Sequence, residues 1–197
     1  MTVIDSKYPY SVSVILITLL AILVPSQPAS GQWTADKPGS DNITLLAHLP
    51  LGPRLNVSDT DLEQEMHRPY AYVGRMVYGF EGDKGLDIID LHDPSQPKRI
   101  YEWRIENQDL HLGTGGMDVK HFKWNDRYYV VQSLQFRQGG PNPDLGAVIL
   151  DVTGLPDPST VKEVARLRAP DHPGGFHNIF IYKHSTGRVL LMTTVAG

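Results

Sequence analysis

One phrase occurs twice in this chain, and its recurrence limits the architectures open to it. Gly146–Leu167 reads GAVILDVTGLPDPSTVKEVARL, and Gly85–Trp103, upstream of it, reads GLDIIDLHDPSQPKRIYEW. In each copy an apolar, strand-length run ends in an aspartate, Asp90 or Asp151. An Asp-Pro-Ser turn follows, at Asp93–Ser95 and at Asp157–Ser159, with three extra residues in the second copy. Beyond the turn both copies keep the same alternation. Tyr101 and Trp103 on one face correspond to Ala165 and Leu167, and Glu102 and Arg104 on the other to Arg166 and Arg168. Units that share a register share a structure, and each buries its apolar face only by stacking on the next.

Other segments recur with the same period of about sixty residues. RPYAYVG at Arg68–Gly74 aligns with DRYYVVQ at Asp126–Gln132, and GRVLLMTT at Gly187–Thr194 opens a third copy. GGMDVKHF (Gly115–Phe122) and GGFHNIF (Gly174–Phe180) precede the second and third of these. The second unit is predicted to hold four strands, at Met117–Lys123, Arg127–Phe136, Gly146–Val152 and Val161–Arg168. Helical periodicity is absent after residue 40, while short β-branched and aromatic runs are broken by Gly, Pro, Asn and Asp. The expected class is therefore all-β. Repeated four-stranded antiparallel units are read as β-propeller blades, here about two and a half of them in an incomplete ring. A two-sheet sandwich is the alternative architecture.

An incomplete ring implies a longer protein. The segment ITLLAHLP, Ile43–Pro50, places Leu46, Ala47 and Leu49 where the fourth strand has Val164, Ala165 and Leu167. It is expected to close the ring by pairing with strands encoded beyond Gly197. The domain reading is a signal peptide at 1–31, an N-terminal segment with this ring-closing strand at 32–61, and a partial propeller at 62–197.

The run VSVILITLLAILV, Val12–Val24, has thirteen residues against the roughly 20 that span a bilayer. Lys7 precedes it, and Ala29 and Gly31 supply small residues before a cut at Gln32, the pattern of a secretory signal. The expected location is extracytoplasmic, periplasmic or secreted, with membrane contact only through this segment if it stays uncleaved. There is no cysteine, so stability rests on packing, and thiolate nucleophiles and thiolate metal sites are excluded. Two acceptor triplets, Asn42-Ile-Thr44 and Asn56-Val-Ser58, matter only in a eukaryotic source. With 18 basic against 22 acidic residues and no basic block, nucleic acid is excluded as a partner.

LDIID (Leu86–Asp90) and AVILD (Ala147–Asp151) resemble the Leu-Val-Ile-Val-Asp signature of the LVIVD-repeat family of exported β-propellers, over roughly Leu62 to the end. Asp87 departs from it at the second position, Ala147 at the first, and Ile89 and Leu150 at the fourth. The resemblance implies a propeller outside the cytoplasm and carries over no catalytic residues.

Function has to be read from the residues. There is no Gly-x-Ser-x-Gly elbow, His-Glu-x-x-His motif or phosphate-binding loop, and GTGGMD lacks dinucleotide spacing. The connection into the second unit carries His111 and Asp118, and the next carries His172 and His177. In a propeller such connections reach the central channel, so these four are the candidate ligand or metal residues. Imidazole and carboxylate there suit a divalent metal such as Zn, Cu or Fe; loop hydrogen bonding accounts for the same histidines. Among the others, His121 is expected on a strand surface or turn and His184 in a hairpin turn, while His67 has no counterpart. The strand aromatics, Tyr70, Tyr72 and Phe136 among them, are read as core, and Arg137–Gly146 as a wide hairpin or recognition loop. Two functions follow: a binding or scaffold module for a protein or small-molecule ligand, or a metal-dependent oxidoreductase or hydrolase of selenium-binding-protein-like architecture.

Export is the first expected outcome: N-terminal sequencing of secreted material should start near Gln32. An intact Met1 on protein recovered from the cytoplasm contradicts it.

Overall fold

The computed structural model describes residues 42–52, 56–77, 82–111, 115–136 and 142–195. The apolar run at 12–24 and residues 137–141 of the loop at 137–146 lie outside them. The described chain is all-β. Strands β1 (Val57–Leu62), β2 (Tyr70–Arg75), β3 (Gly85–Asp90) and β4 (Lys98–Arg104) form one antiparallel sheet in that order. A second has β5 (Gly115–Trp124), β6 (Arg127–Gln135), β7 (Leu145–Asp151) and β8 (Lys162–Arg168) in the same order, and β9 (Phe176–Lys183) pairs with β10 (Val189–Val195). No sheet is closed. No helix among the described residues is long and apolar enough to cross a membrane.

Local chemistry explains the meanders. Asn125 and Asp126 both take positive φ, 47° and 58°, the geometry of a two-residue turn whose twist suits a hairpin, and join β5 to β6. The aspartates that end the repeated phrase fold back onto the following turn. Asp90 Oδ1 accepts the His92 N–H at 2.9 Å and Asp151 Oδ1 accepts that of Thr153 at 3.0 Å. Asp93 and Asp157 each accept, at 3.0 Å, the N–H of the serine two residues on.

The strand ladders correct one alignment. Tyr70 pairs with Asp90 and Tyr129 with Asp151, so Tyr70 is the counterpart of Tyr129 rather than of Tyr128. The tight turn before β6 and the longer β1–β2 connection place the two strands differently against their similar sequences. In the corrected register Tyr72 matches Val131 and Ala71 matches Val130, each pair opposite Ile88 and Ile149 or Ile89 and Leu150.

Packing follows this register. Tyr72, Leu86, Ile88 and Trp103 of the first sheet are buried against Val119, Val130, Val148 and Leu150 of the second. The opposite face of the second sheet, with Val131 and Ala147, closes on Phe176 and Ile179 of β9. Both faces of the second sheet are thus covered, and its strand β7 reads as a continuous apolar run up to Asp151. Arg68 crosses the first junction: it pairs with Glu63 at 2.6 Å, donates to the Val152 carbonyl at 2.9 Å and stacks on the Tyr128 ring at 3.9 Å. At the outer face of the first sheet, Leu49 and Leu51 pack on Ala71, Val73 and Ile89. Ile43–Pro50 itself carries no strand pairing.

Asp87, the charged departure inside an apolar signature, is fully buried and bonded by Arg75 and Arg104. Asn56 is also buried, its amide donating to the Met76 and Asp83 carbonyls, so the folded chain does not present this triplet for glycosylation.

Truncating Leu150 to Ala is expected to cost about 2–5 kcal/mol of unfolding free energy, because the side chain is wholly enclosed between two sheets. Val164→Ala, at a position 52% exposed, should stay within about 0.5 kcal/mol. Urea unfolding of the two variants measures the difference.

Candidate functional site

The first strands of the three sheets, β1, β5 and β9, share an irregularity. Between Val57 and Thr60, between Gly116 and Val119, and between Phe176 and Ile179, the strand spends one more residue than its partner. These are β-bulges at equivalent places. A bulge leaves consecutive side chains unpaired with the ladder and re-aims them. The residues so released are Ser58 and Asp59, Met117 and Asp118, and His177 and Asn178. All six line one solvent-open cavity of about 520 Å³, with Met76, Lys120 and Ile179 completing its wall.

Hydrogen bonds tie the bulges to one another. Asp59 accepts the Val119 N–H at 3.2 Å, and Asp118 accepts the Ile179 N–H at 2.7 Å. Val119 and Ile179 are register counterparts, so one contact is repeated between the first strands of successive sheets. Asn178 stands where Asp59 and Asp118 stand. The glycines before the bulges permit this spacing. Gly115 and Gly175 bridge Met76 and Gln135 at the two junctions, with φ of 78° and 77°. A Cβ on Gly175 would lie 2.0 Å from the Leu134 carbonyl oxygen. At Gly175 the close approach is thus to the neighbouring sheet's backbone, and at Gly115 it is to the Lys84 side chain, 2.7 Å from an added Cβ.

Charge is concentrated at the wall. Lys120 Nζ donates to Asp59 at 2.9 Å and also bonds Asp118. Burial raises the Asp118 carboxyl, and a hydrogen bond shared with Asp59 raises it further, against the opposing Ile179 N–H and Lys120. Burial alone would raise Asp59 too, but hydrogen bonds from Asp118, Lys120 and Val119 outweigh it and hold the group at about 2. Burial lowers Lys120, and the two carboxyl groups more than restore it, so its titration is raised. A proton is thus retained more readily on Asp118 than on Asp59, beside a fixed ammonium.

Of the four residues singled out by sequence, Asp118 and His177 line this cavity, and His177 Nδ1 bonds Gln135 Oε1. His111 does not line it. It is fully buried, with Nδ1 3.0 Å from the Asn107 carbonyl and its ring 5.2 Å from Phe136. His172 lies exposed in a turn held by its own N–H on the Ala169 carbonyl at 2.9 Å. Among the described residues no group of three or more His, Asp or Glu is placed to hold a metal ion. His121 is on β5, hydrogen-bonded to Asp61 at 2.7 Å, and His184 lies in the β9–β10 turn. Asp59 was not legible as a site residue because β1 lacks the Gly-Gly that marks the second and third units, and Lys120 and Asn178 were not because spacing alone does not give side-chain direction. The available signal was the triplet at each bulge, Ser58-Asp59-Thr60, Met117-Asp118-Val119 and His177-Asn178-Ile179.

Compared with protein-family models, curated proteins and solved structures, the chain gives no match.

Asp59 should make stability acid-sensitive. Its folded value, about 2, is below its ordinary 3.8, so its contribution is complete above about pH 4 and is lost as pH falls through about 2. In urea titrations across that window, Asp59→Asn should show a shallower acid dependence than wild type. Identical slopes would show that Asp59 is not held ionised by these bonds.

Proposed function

We propose that this chain is part of an exported β-propeller built of LVIVD-like repeats, and that it acts as a binding or scaffold module outside the cytoplasm. The ligand on this reading is a small polar molecule held in the cavity between the first strands of the sheets. The supporting observation is that three bulges, one per repeat unit, deliver six side chains to one cavity. Bulges otherwise weaken a ladder, and three at one level have their common consequence in the cavity wall. The sheets support the propeller reading through their strand order, the repeated carboxylate tie and the stacking of successive units on alternate faces. The exported location rests on the apolar run and the small residues after it.

The wall chemistry narrows the ligand. His177 and Asn178 offer donors, whereas Lys120 already spends its three on Asp59, Asp118 and the Val119 carbonyl, and the Asp59 and Asp118 acceptors are engaged by it and by backbone N–H groups. A ligand carrying both hydroxyl or amine donors and a carboxylate or carbonyl acceptor suits that mixture, with the thioethers of Met76 and Met117 against its apolar part.

Thermal unfolding of the full chain against a panel of sugars, amino acids and hydroxy acids tests the reading. At least one should raise Tm in a concentration-dependent way, and His177→Ala with Asn178→Ala should abolish most of that rise. A shift that survives both substitutions, or no shift with any compound, sinks it.

A further inference from the structure

The cavity wall carries hard and soft donor atoms, and its carboxylates are already spent inside the protein. Both oxygens of Asp118 are engaged, one by Lys120 and the other by the Ile179 N–H, and Asp59 Oδ2 accepts from Lys120 and the Val119 N–H. The thioether sulfurs of Met76 and Met117 and the imidazole of His177 lie on the same wall.

The fold sets these three side chains around one space. Met117 and His177 are the first residues released at their bulges and are counterparts on β5 and β9. Ser133 Oγ holds the two backbones together: it accepts the Asp118 N–H at 2.8 Å and donates to the His177 carbonyl at 3.3 Å. Met76 is brought in from the first sheet by its bridge to Gly115, two residues before Met117. Gln135, which pairs with Gly115 and bridges Gly175, fixes the imidazole. Its Oε1 only accepts, so the facing Nδ1 carries the hydrogen and the neutral ring keeps its lone pair on Nε2. Protonated, the ring donates to an organic ligand; neutral, it ligates a cation.

Two thioethers and an imidazole form a soft ligand set. Thioether sulfur selects Cu(I) and its heavier congener Ag(I), whereas Zn, Mg and Ca take thiolate, imidazole or oxygen donors. The chain has no cysteine, so methionine and histidine are its soft donors. Among the described residues no cluster of His, Asp and Glu competes for a hard divalent ion.

We propose that Met76, Met117 and His177 bind one soft monovalent metal ion, Cu(I) or Ag(I), with Gln135 as the positioning residue behind His177. The site uses the cavity of the proposed function but not its small-molecule ligand, and it needs neither a propeller ring nor export.

Calorimetric titration of the full chain with Ag(I) in chloride-free buffer, and competition for Cu(I) against a chromogenic chelator under reducing conditions, test it. One tight equivalent should bind, and Zn(II) should not displace it. Met76→Leu and Met117→Leu, which keep the side-chain volume, and His177→Ala should each lose the tight equivalent. Met66→Leu, at a position 99% exposed, should retain it. Gln135→Leu should weaken binding about 10–100-fold, and Gln135→Glu, which still accepts the Nδ1 hydrogen, should keep it. Circular dichroism checks that each variant keeps its sheet content. With the methionine methyl carbons isotopically labelled, Ag(I) should move the Met76 and Met117 resonances and leave those of Met66 and Met192 in place. No tight equivalent, one that survives Met117→Leu, or tight binding with unmoved Met76 and Met117 resonances overturns the proposal. A Tm rise with the sugars, amino acids or hydroxy acids but no metal binding sinks this inference alone. Metal binding without any such rise sinks only the small-molecule reading.

Discussion

Burial of both faces of the second sheet is the constraint on which the rest depends. Val130, Val148 and Leu150 point one way and Val131, Ala147 and Ile149 the other, and neither set can be hidden without a neighbour. A fully buried apolar side chain contributes about 1.5–3 kcal/mol. Stacking is therefore what makes each unit stable, and in a chain without cysteine no covalent bond substitutes for it.

Stacking in register also brings the first strands of the sheets side by side, and there the polar chemistry becomes exacting. The bulges free Asp59 and Asp118 from their own ladders to accept N–H groups from the next strand. Carboxylates placed this way cap backbone donors that would otherwise face the junction unpaired. Burial and the Asp59–Asp118–Lys120 contacts govern the protonation of the cavity wall, and the bonds that join neighbouring sheets add to that balance at the same two carboxyl groups. Burial of Asp87 works by a related rule. Its two oxygens are satisfied by Arg75 and Arg104, so a charge inside an apolar strand is tolerated because guanidinium groups from the adjoining strands reach it.

The all-β class, the four strands of the second unit and the turns after Asp90 and Asp151 were determined by sequence alone. Alternation, turn residues and a repeated phrase are local signals, and local signals survive in a one-dimensional reading. The correspondence of Tyr101 and Trp103 with Ala165 and Leu167 holds in the ladders, opposite Ile88, Leu86, Ile149 and Ala147. Only the tertiary structure decided the rest. The match of Tyr70 with Tyr129 depends on which residues pair across strands, and similarity in the run of aromatics points one residue away. Whether four spaced histidines and carboxylates meet depends on side-chain direction, which a bulge reverses: it turned His177 and Asn178 together into the cavity, while Phe136 and Asn107 enclosed His111. The triplets at the bulges recur with the repeat, but the extra residue and the side-chain turn it causes cannot be read from that recurrence. The bulges lie where the first strands of separate sheets approach, and that approach exists only once the sheets have packed.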